Sequence, residues 1–207
     1  MFGGMQYPNR IPLHLLINYT SYSMNTFSKL VFIIGPGGTG KSTTGKILAQ
    51  KLGYRFVDID TEFCERIEMI GSYIDKHGYI QYCYANSELF EELIREFHSR
   101  TVFPLSSGFL VHEESPELVK RHVSLLEKLG VSILLMPSER LEDAIDIVAP
   151  RQVSREYMKT TIEKERKKLS DRFYKYLKYG DIKIFSHDAP NDIAVLMIRK
   201  LREIHAL

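Results

Sequence analysis

The chain has 207 residues, 44% of them hydrophobic and 26% charged, which suits one globular domain or one domain with a small appendage. Because the formal net charge is only +2 and mixed in sign, the sequence lacks the concentrated basic footprint of a protein whose main partner is nucleic acid. We therefore expect no nucleic-acid partner and a ligand of metabolite size.

Residues 1–28 show little periodicity and carry scattered prolines, glycines and aromatic residues, so we expect an N-terminal extension outside the core. From residue 29 to residue 207, short β-like runs alternate with longer helical stretches, which is typical of a parallel sheet covered by helices. The predicted strands are residues 30–34, 55–59, 101–105, 131–135 and 182–185. The predicted helices are residues 41–52, 87–98, 116–129, 154–176 and 191–205.

The cysteines and the apolar runs indicate the cellular environment. Cys64 and Cys83 are the only cysteines, and they form no CxxC pair and have no clustered histidine partners, so neither a zinc site nor a disulfide framework is predicted. The longest apolar runs, such as residues 30–34 and 131–136, are far too short to cross a bilayer, and no signal-peptide pattern occurs. We expect a cytoplasmic protein without a membrane partner.

The strongest motif follows the first predicted strand. It fits G-x-x-x-x-G-K-[ST] at every fixed position and lies between an apolar strand and a helix, as a nucleotide-binding loop requires. It consists of Gly35, Pro36, Gly37, Gly38, Thr39, Gly40, Lys41 and Ser42, with Thr43 next in the helix. Backbone N–H groups would bind phosphates, Lys41 would reach the β- and γ-phosphates of ATP, and Ser42 would coordinate Mg²⁺. The alternative is a glycine-rich strand-to-helix turn with an incidental lysine.

A second candidate site follows the second predicted strand, which ends in Val57-Asp58-Ile59-Asp60. The period-two geometry of a strand puts both aspartates on one side at its carboxyl end, where open α/β sheets bind ligands. Phosphoryl transfer needs groups that orient a metal ion and a carboxylate that orients or deprotonates the attacking hydroxyl. We expect Asp58 to face Mg²⁺ and Asp60 to face the acceptor. A solvated strand end, or a helix cap at Asp60, is the alternative.

These motifs and their order resemble the shikimate kinase family. After the loop, the run from Gly53 to Asp60 resembles the family's glycine, strand and D-x-D. Weaker matches are Glu65-Arg66, Gly71-Ser72-Tyr73-Ile74, Gly78, Leu105-Ser106-Ser107-Gly108-Phe109, and the run of Arg172, Tyr176 and Asp181. Together they cover nearly all of residues 29–201.

The resemblance implies a fold and an activity. With the alternation of strands and helices, it predicts a three-layer α/β/α P-loop kinase fold, a five-stranded parallel sheet in the order 2-3-1-4-5, and a lid at about residues 149–168. It implies a phosphotransferase with an alcohol group as acceptor, which transfers the γ-phosphate of MgATP to shikimate and forms shikimate 3-phosphate and ADP. We expect a hydroxylated small-molecule acceptor that bears a carboxylate, and a monomeric protein.

The resemblance also assigns roles around the acceptor. Asp58 would bind Mg²⁺ directly or through water, and Asp60 would hold the acceptor hydroxyls and take part in catalysis. Gly108 would contact the acceptor through its backbone. Arg172 would pair with the acceptor carboxylate, since a planar guanidinium matches both oxygens. A solvated arginine on a helix surface is the alternative for Arg172.

In the lid, the resemblance places Arg151 at the transferring phosphate, and Arg155 is the competing candidate. A cationic lid would suit this role, because its closure excludes water and brings positive charge to the γ-phosphoryl oxygens. Either arginine could instead be a solvated surface charge.

Three departures from the family pattern bear on the ligands. Where the family has a second carboxylate-binding arginine, this chain has Cys83 or Tyr84, and we expect Cys83 to be a buried packing residue rather than a reactive thiol. The glycine triplet is replaced by Ser107-Gly108-Phe109, and residues 143–150 lack the arginine that the family commonly places over adenine. Losing a charge-assisted hydrogen bond to a carboxylate costs roughly 1.5–3 kcal/mol, or about one to two decades in affinity. A related kinase for a nucleoside, nucleotide or sugar acid, and a non-catalytic nucleotide-binding protein, remain alternatives.

Overall fold

The computed structural model describes residues 30–155 and 160–207, and the predicted extension at residues 1–28 lies outside them. The described residues form five strands: β1 (Leu30–Ile34), β2 (Arg55–Phe56), β3 (Thr101–Pro104), β4 (Gly130–Met136) and β5 (Ile182–Phe185). They also form eight helices: α1 (Lys41–Leu52), α2 (Ile59–Arg66), α3 (Ile70–His77), α4 (Tyr79–Glu96), α5 (Pro116–Leu129), α6 (Leu141–Val153), α7 (Ile162–Tyr176) and α8 (Pro190–Glu203). None of these eight helices is long and apolar enough to cross a membrane.

All five strands form one parallel sheet in the order β2-β3-β1-β4-β5, which confirms the predicted order. Successive residues of a strand point to opposite faces of the sheet, and here both faces are buried. In β1, Leu30, Phe32 and Ile34 belong to one core cluster, whereas Val31 and Ile33 belong to the other. The sheet is therefore the middle layer of the fold.

Helices cover the two faces and complete the predicted three-layer α/β/α arrangement. On one face, α1 and α8 pack together and bury Leu48, Met197 and Leu201. On the other, α2 and α4 to α7 contribute to a larger cluster in which Phe90 of α4 contacts Phe32 of β1. Because all strands are parallel, their carboxyl ends meet at one edge of the sheet, and the loops that leave this edge can converge on one site.

The segment between β2 and β3 differs most from the prediction. β2 ends at Phe56 rather than at residue 59, because the carboxylate of Asp58 accepts hydrogen bonds from the backbone N–H groups of Asp60 and Thr61 and caps α2. Helices α2 and α3 are additional to the predicted ones, and α4 begins at Tyr79 rather than at residue 87. α2 and α3 span only about two turns each, which is too short for a helical period to stand out in the sequence.

Two differences also occur around the predicted lid. Helix α6 is additional to the predicted ones, and its last turn contains Pro150, a residue that in a sequence indicates the end of a helix. α7 begins at Ile162 rather than at residue 154. The Thr161 side chain caps it by accepting a hydrogen bond from the backbone N–H of Lys164. Residues 149–168 thus include the end of α6, the start of α7 and residues 156–159, which lie outside the described residues. A closing lid stays a prediction.

Asp181 connects β4 to the start of β5. Its Oδ2 accepts hydrogen bonds from the backbone N–H of Ser132 at 2.8 Å and from the Ser132 hydroxyl at 2.7 Å. The backbone N–H of Asp181 donates to the same hydroxyl at 3.2 Å. Ser132 is buried in β4, so these bonds satisfy polar groups that have little access to water.

We expect Asp181→Ala to lower the free energy of unfolding by about 1–3 kcal/mol, because the backbone N–H and hydroxyl of the buried Ser132 would lose the carboxylate that accepts their hydrogen bonds. Urea denaturation measures this change. Asp188→Ala is the matched control, since the Asp188 carboxylate accepts a hydrogen bond from Ser186 in an exposed turn. Equal unfolding midpoints for the two variants would contradict the role of Asp181.

Candidate active site

The loop after β1 passes very close to the neighbouring strand. At Gly35 the backbone φ is +141°, and a Cβ there would lie 2.4 Å from the carbonyl oxygen of Leu135 in β4. A side chain would force the backbone apart, so only glycine fits. The loop is held against the centre of the sheet, and α1 begins directly after it at Lys41. Residues 35–42 therefore have the strand-loop-helix context that the motif predicts.

Lys41 lies buried beneath this loop. Its ammonium donates hydrogen bonds to the carbonyl oxygens of Gly35 and Pro36, each at 2.9 Å. Burial lowers the pKa of Lys41 from 10.5 to about 8, although the negative charges of Asp60 and Asp58 oppose this shift. Both carboxylates thus lie within electrostatic range of the lysine. The structure brings together the cation and the two aspartates that the sequence singles out.

Asp58 and Ser42 carry the oxygen atoms expected to hold Mg²⁺. The prediction that Asp58 and Asp60 share one side of a strand is wrong, because Asp58 caps α2 and Asp60 lies in its first turn. The cap uses Oδ1 of Asp58, and Oδ2 makes no hydrogen bond to any described residue. Ser42 is exposed in the first turn of α1. A free carboxylate oxygen and an exposed hydroxyl are hard ligands that fit Mg²⁺, which takes its other ligands from phosphate and water.

Asp60 links α2 to α4 and to the end of β3. Its Oδ1 accepts a hydrogen bond from the Ser106 hydroxyl at 2.5 Å and a longer one from the Tyr82 hydroxyl at 3.5 Å. Burial raises the pKa of the Asp60 carboxyl, while the Ser106 hydrogen bond and the charge of Lys41 act against this rise. A raised pKa suits a carboxylate that takes a proton from an attacking hydroxyl. The helix cap considered for Asp60 belongs instead to Asp58.

Gly108 and Arg172 meet at Tyr79. A Cβ at Gly108 would lie 2.2 Å from the Tyr79 hydroxyl, and the Arg172 Nη2 donates to that hydroxyl at 3.4 Å. The guanidinium carbon lies 5.9 Å from the centre of the Tyr79 ring, within cation–π range. Arg172 is half-buried on α7, and no carboxylate in the described parts of the chain forms an ion pair with it. It is therefore a cation that can bind an anionic ligand.

Two cavities adjoin this contact. The loop cavity lies between the phosphate loop and α7, and its lining includes Pro36, Gly37, Ser107, Lys168 and Arg172. The α4 cavity lies beside Asp60, and its lining includes Tyr79, Tyr82, Cys83, Ser106 and Gly108. Phosphates bound at the loop and an acceptor bound in the α4 cavity would occupy neighbouring spaces.

Cys83 faces the α4 cavity, whereas Tyr84 does not line it. Cys83 is buried, and burial raises its pKa to about 11, which confirms the prediction of a packing residue rather than a reactive thiol. Tyr84 is exposed and bonds to Ser115 and Glu117. Of the two candidates for the position of the second arginine, Cys83 is the one that lines the α4 cavity.

The end of α6 brings Gln152 rather than Arg151 onto the phosphate loop. Gln152 is buried, and a Cβ at Gly37 would lie 2.3 Å from its Nε2. Arg151 is exposed on the same turn. The positive charges of Arg155 and Lys168 lower the pKa of Lys41, so both lie within electrostatic range of the loop. Arg155 thus acts electrostatically on Lys41, and the roles of Arg151 and Arg155 at the transferring phosphate stay predictions.

The sequence model of the family described as "Shikimate kinase" matches residues 37–202. The chain belongs to the shikimate kinase family. A shikimate kinase of Chlorobaculum tepidum is 28% identical over 150 residues, which are 70% of this chain and 78% of that protein. The pentafunctional AROM polypeptide of Candida glabrata is 34% identical over 101 residues, 47% of this chain, and the match spans 6% of that polypeptide's length.

Solved structures share the fold. The shikimate kinase from Acinetobacter baumannii in complex with shikimate superposes with a TM-score of 0.68 at 19% identity, covering 85% of this chain and 94% of that one. As a member of the shikimate kinase family, the chain is a P-loop kinase and a phosphotransferase that acts on an alcohol group.

Sequence reasoning missed several side chains that this shikimate kinase family member brings to the site. Tyr79 and Tyr82 were missed, although they lie three residues apart on α4. Cys83, four residues after Tyr79 and already singled out by the resemblance, shares their helix face, and the sequence shows this spacing. Ser106 and Gln152 carry no local signal, because their contacts with Asp60 and Gly37 depend on tertiary packing.

The lowered pKa of Lys41 predicts that nucleotide binding takes up a proton at alkaline pH. At pH 9, above its lowered pKa of about 8, the buried lysine of the free protein is mostly neutral, and the negative charge of a bound triphosphate would raise its pKa again. We expect uptake approaching about one proton per ATP at pH 9 and almost none at pH 7. Calorimetry in buffers of different ionisation enthalpy measures this uptake.

Lys41→Arg is the matched control, because a guanidinium stays protonated throughout this pH range. This variant should bind ATP without proton uptake at pH 9. Equal uptake by the wild-type protein and Lys41→Arg would show that another group titrates.

Proposed function

We propose that the protein transfers the γ-phosphate of MgATP to a hydroxyl of shikimate and forms shikimate 3-phosphate and ADP. The observation that carries the proposal is that Asp60 and Arg172 both contact residues that line the α4 cavity. Asp60 accepts hydrogen bonds from Tyr82 and Ser106, and Arg172 donates one to Tyr79. A carboxylate that can activate a hydroxyl, beside a cation that can bind a carboxylate, suits a hydroxy acid. The named activities of the relatives in Chlorobaculum tepidum and Acinetobacter baumannii support shikimate as that acid.

On the phosphate side, the backbone of residues 35–42 and the start of α1 would bind the phosphates, with Lys41 directed to the β- and γ-phosphates. Ser42 and the free oxygen of Asp58 would hold Mg²⁺, which supplies charge neutralisation at the phosphate oxygens. Of the two lid arginines, we favour Arg155 for the transferring phosphoryl group, because its charge already acts on Lys41. Arg151 would then not contact the transferring phosphoryl group.

On the acceptor side, Asp60 would orient the acceptor hydroxyl and take its proton as the oxygen attacks the γ-phosphorus. The bond between the γ-phosphorus and the bridging oxygen breaks, and ADP leaves with the electron pair. Ser106 and Tyr82 would hold the Asp60 carboxylate in place through their hydrogen bonds. Gly108 would allow the acceptor to approach the backbone, and Arg172 would hold the acceptor carboxylate.

A second candidate function is a related kinase for a different acceptor, such as a nucleoside, a nucleotide or a sugar acid. Cys83 favours it, because this neutral thiol faces the acceptor cavity where the family has a second carboxylate-binding arginine. The loss of that arginine would weaken the binding of any carboxylate acceptor, a sugar acid as well as shikimate, by about one to two decades, so Cys83 favours a nucleoside most.

A coupled ADP-release assay with shikimate, deoxyadenosine and D-gluconate as acceptors distinguishes these functions. Turnover that depends on shikimate supports the proposal. Turnover with one of the other two acceptors and none with shikimate supports the second candidate. ATP binding without transfer to any acceptor would contradict both.

Asp60→Asn keeps the shape of the side chain and removes the group that takes the proton. We expect kcat to fall by roughly 10²–10⁴-fold while the KM for ATP stays close to the wild-type value. Glu62→Gln is the matched control, because Glu62 lies in the same helical turn but forms an ion pair with Arg66. Full turnover by Asp60→Asn would exclude Asp60 as the general base.

Arg172→Lys keeps the positive charge but loses the planar fork. We expect it to raise the KM for shikimate by about tenfold or more with a smaller effect on kcat, because the carboxylate would lose one of two parallel hydrogen bonds. Arg166→Lys, on the exposed face of the same helix, is the control. An unchanged KM for shikimate in Arg172→Lys, beside an inactive Asp60→Asn, would show that Arg172 does not bind the acceptor carboxylate.

A further inference from the structure

The α4 cavity contains buried polar groups that the proposed reaction does not use. Asn86 on α4 and His112 after β3 both line it and are 3% and 6% exposed. Among the described residues, no hydrogen-bond partner is found for either ring nitrogen of His112 or for the amide nitrogen of Asn86. Each such group costs folding about 1–3 kcal/mol, so a cluster of them beside a cavity indicates that a ligand supplies the partners.

His122 lines the same cavity but differs from His112, because both of its ring nitrogens have partners within the fold. Its Nδ1 lies 2.9 Å from the carbonyl oxygen of Phe109, and its Nε2 lies 2.8 Å from the hydroxyl of Ser87. Its ring also stacks on Phe109 with the ring centres 3.8 Å apart. Both nitrogens of His122 are thus satisfied within the fold, whereas both nitrogens of His112 are buried without a partner among the described residues, beside the α4 cavity that His112 lines.

The hydrogen-bonding capacity of these groups indicates the kind of partner. Burial and the charge of Arg172 lower the pKa of His112, so near neutral pH its ring offers one N–H donor and one nitrogen acceptor. The Ser106 hydroxyl has a single proton and lies closer to Asp60 than to Asn86, at 2.5 Å against 3.3 Å. Whichever way the Asn86 amide is oriented, one of its polar atoms therefore lacks a partner.

A hydroxyl group matches this set better than a carboxylate does. It both donates and accepts, so it can pair with either nitrogen of His112 and with either orientation of Asn86. A carboxylate only accepts, and with Cys83 neutral the lining around Asn86 and His112 presents no full positive charge to hold it.

We propose that Asn86 and His112 form an acceptor subsite that binds hydroxyl groups of a polyhydroxylated acceptor, while Arg172 holds the anionic group of that acceptor. This inference rests on the proposed function, since it places the acceptor in the α4 cavity. The acceptor would then be a small polyhydroxy acid. Neutral hydrogen bonds from Asn86 and His112 would bind its hydroxyl end, and the single cation of Arg172 would bind its acidic end.

Two variants of His112 test the subsite. His112→Phe removes both ring nitrogens but keeps a flat ring, and we expect it to raise the KM for shikimate about tenfold while the KM for ATP is unchanged. Its Tm should be equal to or above that of the wild-type protein, because it removes buried groups that lack partners. His112→Gln keeps a donor and an acceptor and should restore much of the acceptor binding. His122→Phe, the matched control, should lower the Tm.

Deoxy analogues test the preference for hydroxyls. We expect the penalty of His112→Phe or Asn86→Leu to shrink with either 4-deoxyshikimate or 5-deoxyshikimate, whichever lacks the contacted hydroxyl. The subsite is overturned if His112→Phe binds shikimate like the wild-type protein, if His112→Phe lowers the Tm as His122→Phe does, or if neither analogue changes the penalty.

The proposed function and the subsite can fail separately. If the wild-type protein phosphorylates D-gluconate but not shikimate, the proposed function fails, and a raised KM of His112→Phe for D-gluconate still supports the subsite. If it phosphorylates only deoxyadenosine, which has no anionic group, both the proposed function and the subsite's acceptor class fail. If shikimate is phosphorylated and His112→Phe leaves its KM unchanged, only the subsite fails. If none of the three acceptors is phosphorylated or raises the Tm, both fail.

Discussion

The close approach between Gly35 and the carbonyl oxygen of Leu135 positions the phosphate loop. β1 and β4 are adjacent strands in the interior of the sheet, so a loop pressed against β4 lies over the middle of its carboxyl edge. Lys41 then lies buried directly behind the loop, bonded to its first two carbonyl groups. Asp60 reaches this point from the side of β2, and Arg172 reaches it from α7, because the parallel sheet directs both segments to the same edge.

Lys41 and Asp60 depend on each other electrostatically. Burial disfavours the charged form of both groups, lowering the pKa of the lysine and raising that of the carboxyl, while the attraction between them favours both charges. Removing either charge would leave the other buried without the opposite charge that offsets the cost of its desolvation. The hydrogen bond from Ser106 adds to the support of the Asp60 carboxylate without adding a charge. This arrangement keeps a reactive carboxylate and a phosphate-binding cation together in a confined space.

The sequence predicted the parts of the fold that local patterns encode. The loop motif, β1 and α1 were found because one contiguous stretch carries the glycines, the apolar strand and the helix. The D-x-D was misplaced because Val57 and Ile59 continue a strand-like alternation through a helix cap, and the deciding hydrogen bond joins the Asp58 side chain to the backbone. The α4 cavity could not be predicted from the sequence, since its lining comes from α4, the segment after β3 and α5, and only the packing of these elements on the sheet brings those residues together. The contact of Gln152 with the phosphate loop was not predicted either, because it too depends on tertiary packing.

The shortness of β2 has a consequence for association between chains. An edge strand exposes backbone N–H and C=O groups that can pair with a strand of another molecule. Within residues 30–155 and 160–207, one edge of the sheet consists of Arg55 and Phe56, after which Asp58 caps α2. At the opposite edge, β5 has four residues and carries Lys183 exposed at its second position. Two short edges, one ended by a helix cap and the other bearing a lysine, disfavour the edge-to-edge pairing through which sheet proteins aggregate.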